Sequence, residues 1–313
     1  MITKTASYYK KVSNEPNYIF FIKDYFSLVK PKVMTLVVFT AFVGIFVAPV
    51  NIHPWLAFVS IFCIALGSGA AGAFNMWYES DLDFKMLRTR KRALPSEIIK
   101  KTEALGIAIF LSFISVYVMA VTISYYAAAF LAFSIFFYVV IYTIWLKPKT
   151  KYNIVIGGAA GAFPPAIGWL SVTGSLDVLP FLMFLIIFMW TPPHFWALAL
   201  YRHGEYGKVG VPMMPDTKGA ERTLFESKIY CILLIGLAAI PLIWSEYGIG
   251  WPYAIIVALL GTWYSSTVFA IDPNEELDEN QRMPKAFHSF IASLNYLAYM
   301  FIGIVLVAAQ PWL

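Results

Sequence analysis

Apolar residues run along this chain in blocks of about 20, the length that carries a helix across a bilayer. Short polar interruptions separate the blocks. Reading each block to its polar bounds predicts nine helices, near 33–50, 55–78, 104–122, 126–146, 154–171, 178–200, 229–245, 251–271 and 289–309. The clearest stretch is 104–146, which holds no Asp, Glu, Lys, Arg or His over 43 consecutive positions, room for two spans. The pattern is that of an all-α polytopic membrane protein with nine transmembrane helices. Residues 1–32 read as a tail, and 33–313 as one transmembrane domain.

Composition agrees. Sixty per cent of the 313 residues are apolar and 13 per cent are charged, against roughly 25 per cent charged in soluble domains. The connections between blocks alternate in kind. Those at 51–54, 123–125, 172–177 and 246–250 are short and lack bases, whereas the others are longer and basic. All 23 Lys and Arg fall on the side of the tail and the longer connections. The positive-inside rule makes that side cytoplasmic, with the amino terminus in the cytoplasm and the carboxyl terminus in the periplasm.

The net charge of +5 therefore reflects topology and does not imply a nucleic-acid partner. The tail carries Lys4, Lys10, Lys11, Lys23, Lys30 and Lys32 but no arginine, and it lacks an apolar core of signal length. It reads as cytoplasmic, in a bacterial plasma (inner) membrane, rather than as an organelle-targeting sequence. Cys63 and Cys231 both fall within apolar blocks, as buried inert thiols do.

Candidate chemistry begins where the second block ends. On a continuing helix, Asn75, Glu79 and Asp83 are four apart, so each step turns only about 40° and all three share a face. Asp81 falls on roughly the opposite side. Oxygen-bearing side chains in one stripe suit a hard divalent cation such as magnesium, which also takes phosphate oxygens. Arg88, Arg90, Lys91 and Arg92 follow at once, and guanidinium groups match phosphate geometry. The competing reading is a solvated helix end whose acids offset its bases. Against it, Asn75 and Glu79 extend the stripe back into the apolar block, where polar side chains are costly. The loop after the sixth block also mixes acids and bases, through Arg202, Glu205, Lys208 and Asp216. It lies on the same side, so the two loops can converge over one mouth of the bundle.

The stretch from Asn75 to Arg92 resembles the first acidic motif of the UbiA-type prenyltransferases, and in particular of their haem-directed branch, the haem O synthases. The same branch is resembled by Lys30-Pro31-Lys32-Val33, Tyr142 to Lys147, Asn153 to Gly158, Pro164-Pro165, Trp190 to Trp196, and Glu205-Tyr206 to Met213. The resemblance implies a UbiA-type bundle with cytoplasmic acidic loops and a reaction between farnesyl diphosphate and haem b. Mg²⁺ would be held by Asn75, Glu79, Asp83 and Glu205, with Arg88, Arg92, Lys147, Arg202 and Lys208 toward the diphosphate. It also implies a haem A synthase or an oxidase-assembly factor as protein partner. This chain departs from the family in carrying Glu79 and Glu205 where aspartate is usual, which moves each carboxylate out by one methylene. Asp216 stands where the family more often has an apolar residue.

His194 is an ionisable residue within the sixth apolar block. Pro192-Pro193 is expected to disrupt the sixth helix just before it, beside a cavity. His194, with Trp196 on the same segment, is assigned toward haem, against the alternative of a packed, satisfied histidine. His53 and His288 read as interfacial and His203 as a loop residue. Two other functions stay open. One is a sister prenyltransferase acting on an aromatic or quinone precursor. The other is a membrane transporter or haem chaperone, for which intramembrane polar groups and proline breaks are equally suitable.

Overall fold

A computed structural model describes residues 18–202, 204–242, 250–275, 277 and 282–308. Among them all regular structure is helical. A first helix, α1 (Tyr18–Leu28), lies inside the segment read as tail. The spans are α2 (Pro31–Phe46), α3 (Pro54–Tyr78), α5 (Lys101–Thr122), α6 (Tyr125–Phe136), α7 (Asn153–Thr173), α8 (Val178–Tyr201), α9 (Met214–Ala239), α10 (Trp251–Phe269) and α11 (Pro284–Ala308), with a short α4 (Ser80–Lys85) after α3. Eight of these, α6 being counted with its continuation to Leu146, are long and apolar enough to cross a membrane, and Val33–Phe46 supplies a shorter apolar helix. The protein is a multi-pass membrane protein.

Helix starts follow local chemistry. The His53 side chain accepts from the Trp55 amide at 3.2 Å, Ser124 from those of Tyr126 and Ala127, and Asp177 from that of Val178 at 2.6 Å. Gly174, at φ 71, closes α7 in the left-handed conformation that a helix C-terminus favours. The expected boundaries hold within a few residues, with instructive exceptions. Helix α2 stops at Phe46, just ahead of Pro49, because the residue before a proline leaves the helical region. Helix α9 begins at Met214, well before its apolar block, and its charged first part is supported by the Arg222–Glu226 pair at 2.8 Å. It bends at Gly219 (φ 80, ψ 170). The expected block ends near 245 and 309 lie outside the described residues, as does His203.

Two features were not expected. Over Phe137–Leu146 α6 widens into a π-helix, a form that gathers at functional sites. And α8 runs unbroken through Pro192 and Pro193, so the expected disruption does not occur. Prolines remove amide donors without necessarily ending a helix that neighbours enclose, and both prolines are buried here.

Helix α7 is the most enclosed span. It packs on α2, α6 and α8, and α8 in turn packs on α9 and α11. The α2–α7 crossing is nearly backbone to backbone. A Cβ at Gly44 would meet the Pro165 carbonyl oxygen at 2.1 Å, and one at Gly168 the Ala41 oxygen at 2.2 Å. Small residues permit such crossings in membranes. Outward-facing Phe110, Phe113 and Tyr117 of α5 suit lipid contact, while exposed Trp55, Tyr125, Tyr126 and Trp251 ring the ends away from the basic loops. Cys63 and Cys231 are free and buried.

Candidate active site

The junction of α3 and α4 keeps helical register. The Glu79 amide donates to the Asn75 carbonyl at 2.9 Å and the Asp83 amide to the Glu79 carbonyl at 2.8 Å. Asn75, Glu79 and Asp83 therefore rise along one buried face, while Asp81 points to solvent and pairs with Lys101 at 2.7 Å.

Each member of the stripe meets a partner from elsewhere in the chain. Lys30 Nζ donates to Asn75 Oδ1 at 2.5 Å, and Asn75 Nδ2 donates to Thr143 Oγ1 at 3.2 Å. Lys147 Nζ lies 2.5 and 2.7 Å from the two Glu79 oxygens. Arg92 donates to Asp83 Oδ2 at 2.8 Å, and the Thr89 hydroxyl to the Asp83 carbonyl at 2.8 Å. Three cations thus face two carboxylates at the mouth, an excess of positive charge suited to an anion. Burial brings Lys30 down to about 8, with Lys147 and Arg92 pushing the same way and Glu79 and Asp83 opposing. Burial also opposes the charge of Lys147, but the attraction and hydrogen bond of Glu79 outweigh it and hold Lys147 above the ordinary lysine value.

The second loop folds back onto the first. Val211 and Met213 pack with Ile154 and with Leu82, which lies on α4 between Glu79 and Asp83. Asn153 Nδ2 donates to the Pro212 carbonyl at 3.3 Å. Tyr206 is near enough to add to the field at Lys147. Glu205 pairs with Arg202 at 3.6 Å, and Asp216 accepts from the Gly204 amide at 3.0 Å. Arg88 and Lys208 are exposed. Among the described residues no three His, Cys, Asp or Glu side chains gather closely enough to hold a metal ion by themselves. The donor types nonetheless fit magnesium, since Asn75, Glu79 and Asp83 present carbonyl and carboxylate oxygens beside a phosphate-compatible set of cations.

Below the mouth lies a cavity of about 120 Å³, lined by Lys30, Met34, Gly72, Tyr138, Gly161 and Pro164 among others. Ile135 lines both this cavity and a groove of about 620 Å³ on the outer face, where Phe113, Tyr117 and Phe136 contribute. Ile135 thus stands between the cavity under the charged mouth and the groove on the lipid side of α5 and α6.

His194 sits away from the stripe. Its ring is stacked between Trp190 (centroids 4.1 Å apart, planes at 19°) and Phe290 (4.7 Å, 26°), and Nδ1 is 2.6 Å from Ser293 Oγ. Trp196 is fully buried edge-on to Tyr230, and its Nε1 has no hydrogen-bond partner among the described residues.

Sequence reasoning assigned no role to Lys30, Tyr138 or Thr143. Lys30 had a legible signal, an ionisable residue directly before Pro31 at a membrane edge. It takes the left-handed conformation, φ 51 and ψ 60, which is uncommon for a residue with a side chain. Tyr138 and Thr143, both within the π-helix, had none, since one lines the cavity and the other meets Asn75 from 68 positions away.

A charged mouth over an apolar intramembrane cavity suits a molecule with an anionic head and an apolar tail. The chain belongs to the UbiA prenyltransferase family, whose sequence profile matches residues 37–294, and it is a prenyltransferase. Its relatives include the protoheme IX farnesyltransferase of Rhodopseudomonas palustris, 54% identical over 242 residues, or 77% of each chain. That of Bartonella bacilliformis is 48% identical over 291 residues, 93% of this chain and 92% of the relative. In fold the chain is similar to a UbiA homolog from Archaeoglobus fulgidus bound to DMAPP and Mg²⁺. The TM-score is 0.67 at 19% identity, covering 90% of this chain and 99% of that one.

Proposed function

We propose that the protein transfers a farnesyl group from farnesyl diphosphate to a vinyl group of haem b, with addition of water, giving haem O and diphosphate for haem-copper oxidases. The observation that carries the reading is the cluster of Lys30, Arg92 and Lys147 around Asn75, Glu79 and Asp83, directly above an apolar cavity. The names of relatives that are about half identical to this chain supply the acceptor.

The diphosphate head docks among Lys30, Arg92 and Lys147, with Arg88, Arg202 and Lys208 along its approach. The farnesyl tail descends past Tyr138 and leaves toward lipid beside Ile135. Asn75, Glu79, Asp83 and Glu205 are the residues that would hold Mg²⁺, which when bound neutralises charge on the departing diphosphate. As the C1–O bond breaks, its electron pair leaves with diphosphate and the haem vinyl electrons form the new C–C bond. Water then adds at the vinyl-derived carbon and releases a proton. Haem binds along the Trp190–Trp196 segment, with His194 meeting it through Nε2, since Nδ1 is engaged by Ser293. The mouth faces the cytoplasm of a bacterial cell, with the amino terminus on that side.

The test is direct. Membranes containing the protein are given haem b, farnesyl diphosphate and Mg²⁺, and the haems are analysed by mass spectrometry. A haem heavier by one farnesyl unit plus water, absent with an equally abundant Asp83→Ala variant, is the expected product. Prenylation of an aromatic acid in place of haem would move the assignment to a sister enzyme, and no product with any acceptor would move it to haem handling or transport.

A further inference from the structure

Helix α7 carries Pro164 and Pro165 in its interior and still runs from Asn153 to Thr173. A proline has no amide proton, so the carbonyl four residues earlier loses its helical donor. The carbonyls concerned belong to Ala160 and Gly161. Both residues line the cavity below Lys30, together with Pro164. Gly161 is exposed, and having no side chain it exposes backbone; nothing lies within 4 Å of where its Cβ would stand. The cavity wall there is the backbone itself.

We propose that the carbonyl oxygens of Ala160 and Gly161 form a catalytic electrostatic site that stabilises the allylic cation when the prenyl C1–O bond breaks. The inference rests on the reaction proposed above. Heterolysis leaves positive charge spread over C1 and C3 of the prenyl group, and the bonding pair departs with diphosphate. The cavity lining contains one cation, Lys30, and no carboxylate. A carboxylate there would offer a nucleophile to capture the cation, whereas an amide oxygen presents partial negative charge with little tendency to form a bond. The carbonyls gain and lose no electrons, and the cation passes on to the vinyl acceptor. Fixed dipoles aimed at developing charge in a water-poor site need no reorganisation during the reaction. Pro164 and Pro165 are positioning residues, since they act by leaving these oxygens unpaired. The corresponding pair in α8, Pro192-Pro193, is absent from the cavity lining and provides a control.

The experiment uses the full chain in lipid nanodiscs with Mg²⁺. Pro164→Ala and Pro165→Ala each restore an amide donor to one carbonyl. Binding is measured for a trialkylammonium analogue of the farnesyl cation with inorganic diphosphate, for its neutral carbon isostere, and for the unreactive farnesyl thiodiphosphate. The wild type is expected to prefer the ammonium compound at least about tenfold. Each variant should lose most of that preference and about 10- to 100-fold of turnover, removal of one preorganised group from an oxyanion hole costing about 10²–10³. Thiodiphosphate affinity should stay within about twofold, because the ground state carries no cation, and Pro192→Ala should retain the preference. Equal binding of ammonium and neutral compounds by the wild type overturns the proposal even if the variants do not fold, as does an unchanged preference in folded variants. The binding measurements need no haem, so they fail independently of the acceptor assignment, whereas the turnover loss is read with haem b present.

Discussion

The ammonium of Lys30 lies 2.5 Å from the carboxamide oxygen of Asn75, tying the residue before the first span to the stripe at the end of α3. This contact makes Lys30 the link between the charged mouth and the cavity below, whose wall it also forms.

Lys30 gives the enzyme a basic limb. Its pKa is lowered from 10.5 to about 8, chiefly by burial. Between those values the folded chain binds fewer protons than the unfolded chain, so Lys30's contribution to stability rises with pH. It destabilises fully below pH 8 and progressively less above. Activity moves the other way, because the mouth loses a positive charge as pH rises through 8. The expected result is that kcat/KM for farnesyl diphosphate, which reports the free enzyme, declines with an apparent pKa near 8. Lys30→Arg should move that limb upward, and a limb unchanged by Lys30→Arg would assign it to another group.

Asp83 and Arg92 should be coupled. The Asp83 side chain is 6% exposed and Arg92 33%, so the pair sits between the surface and buried limits. Arg92→Ala leaves a buried carboxylate without its cation and should cost about 2 kcal/mol of stability. Adding Asp83→Asn removes the stranded charge and should recover about half of that loss. A thermal-melt double-mutant cycle measures the coupling, and strictly additive losses would mean that the pair is energetically silent.

Both Glu79 oxygens reach Lys147, so charge and reach can be tested separately at this position. Glu79→Asp keeps the charge but draws the carboxylate back by one methylene and should keep turnover within about tenfold, at a higher Mg²⁺ requirement. Glu79→Gln removes the charge and should lose about 10²-fold or more, the scale of one electrostatic group in an active site. Turnover titrated against Mg²⁺ distinguishes the two, and equal losses in both would count against a role as metal ligand.

Ile135 lines both the inner cavity and the outer groove, so a larger side chain there should obstruct the tail but not the head. Ile135→Trp should raise KM for farnesyl diphosphate about tenfold or more while leaving the affinity for dimethylallyl diphosphate within about twofold, one lost or gained apolar contact being worth about 1–3 kcal/mol. If both chain lengths are affected alike, the tail does not pass Ile135.

The spans were legible because a bilayer demands long apolar blocks, and the shared face of Asn75, Glu79 and Asp83 because helical register follows from spacing. The partners of those residues were less so. The bond from Lys30 to Asn75 spans 45 positions and that from Lys147 to Glu79 spans 68, and each depends on how helices dock. Helix α9 was read short because its first part is charged and lies outside any apolar block. The π-helix left no compositional mark, and the contact of Thr143 with Asn75 spans 68 positions. The proline pair in α8 was read by local propensity alone, and enclosure by neighbouring helices prevailed over it.

His194 separates a ligand from a packing residue by measurements that differ in kind. Its ring is stacked between Trp190 and Phe290 and bonded to Ser293, so His194→Ala should cost about 2–4 kcal/mol of stability, mainly through lost packing, since the Ser293 hydroxyl keeps its bond to the Phe290 carbonyl. That loss is expected whatever the ring meets. Haem affinity is the discriminating quantity, read by Soret titration on the folded fraction. With Nε2 toward haem, His194→Ala should weaken haem b binding about tenfold or more and leave KM for farnesyl diphosphate unchanged. Ser293→Ala removes the partner of Nδ1 and should weaken haem binding by a smaller factor, as expected when a hydrogen bond that orients a ligating imidazole is lost. A Soret titration identical to the wild type in both variants would confine His194 to packing and move the haem site elsewhere in the bundle.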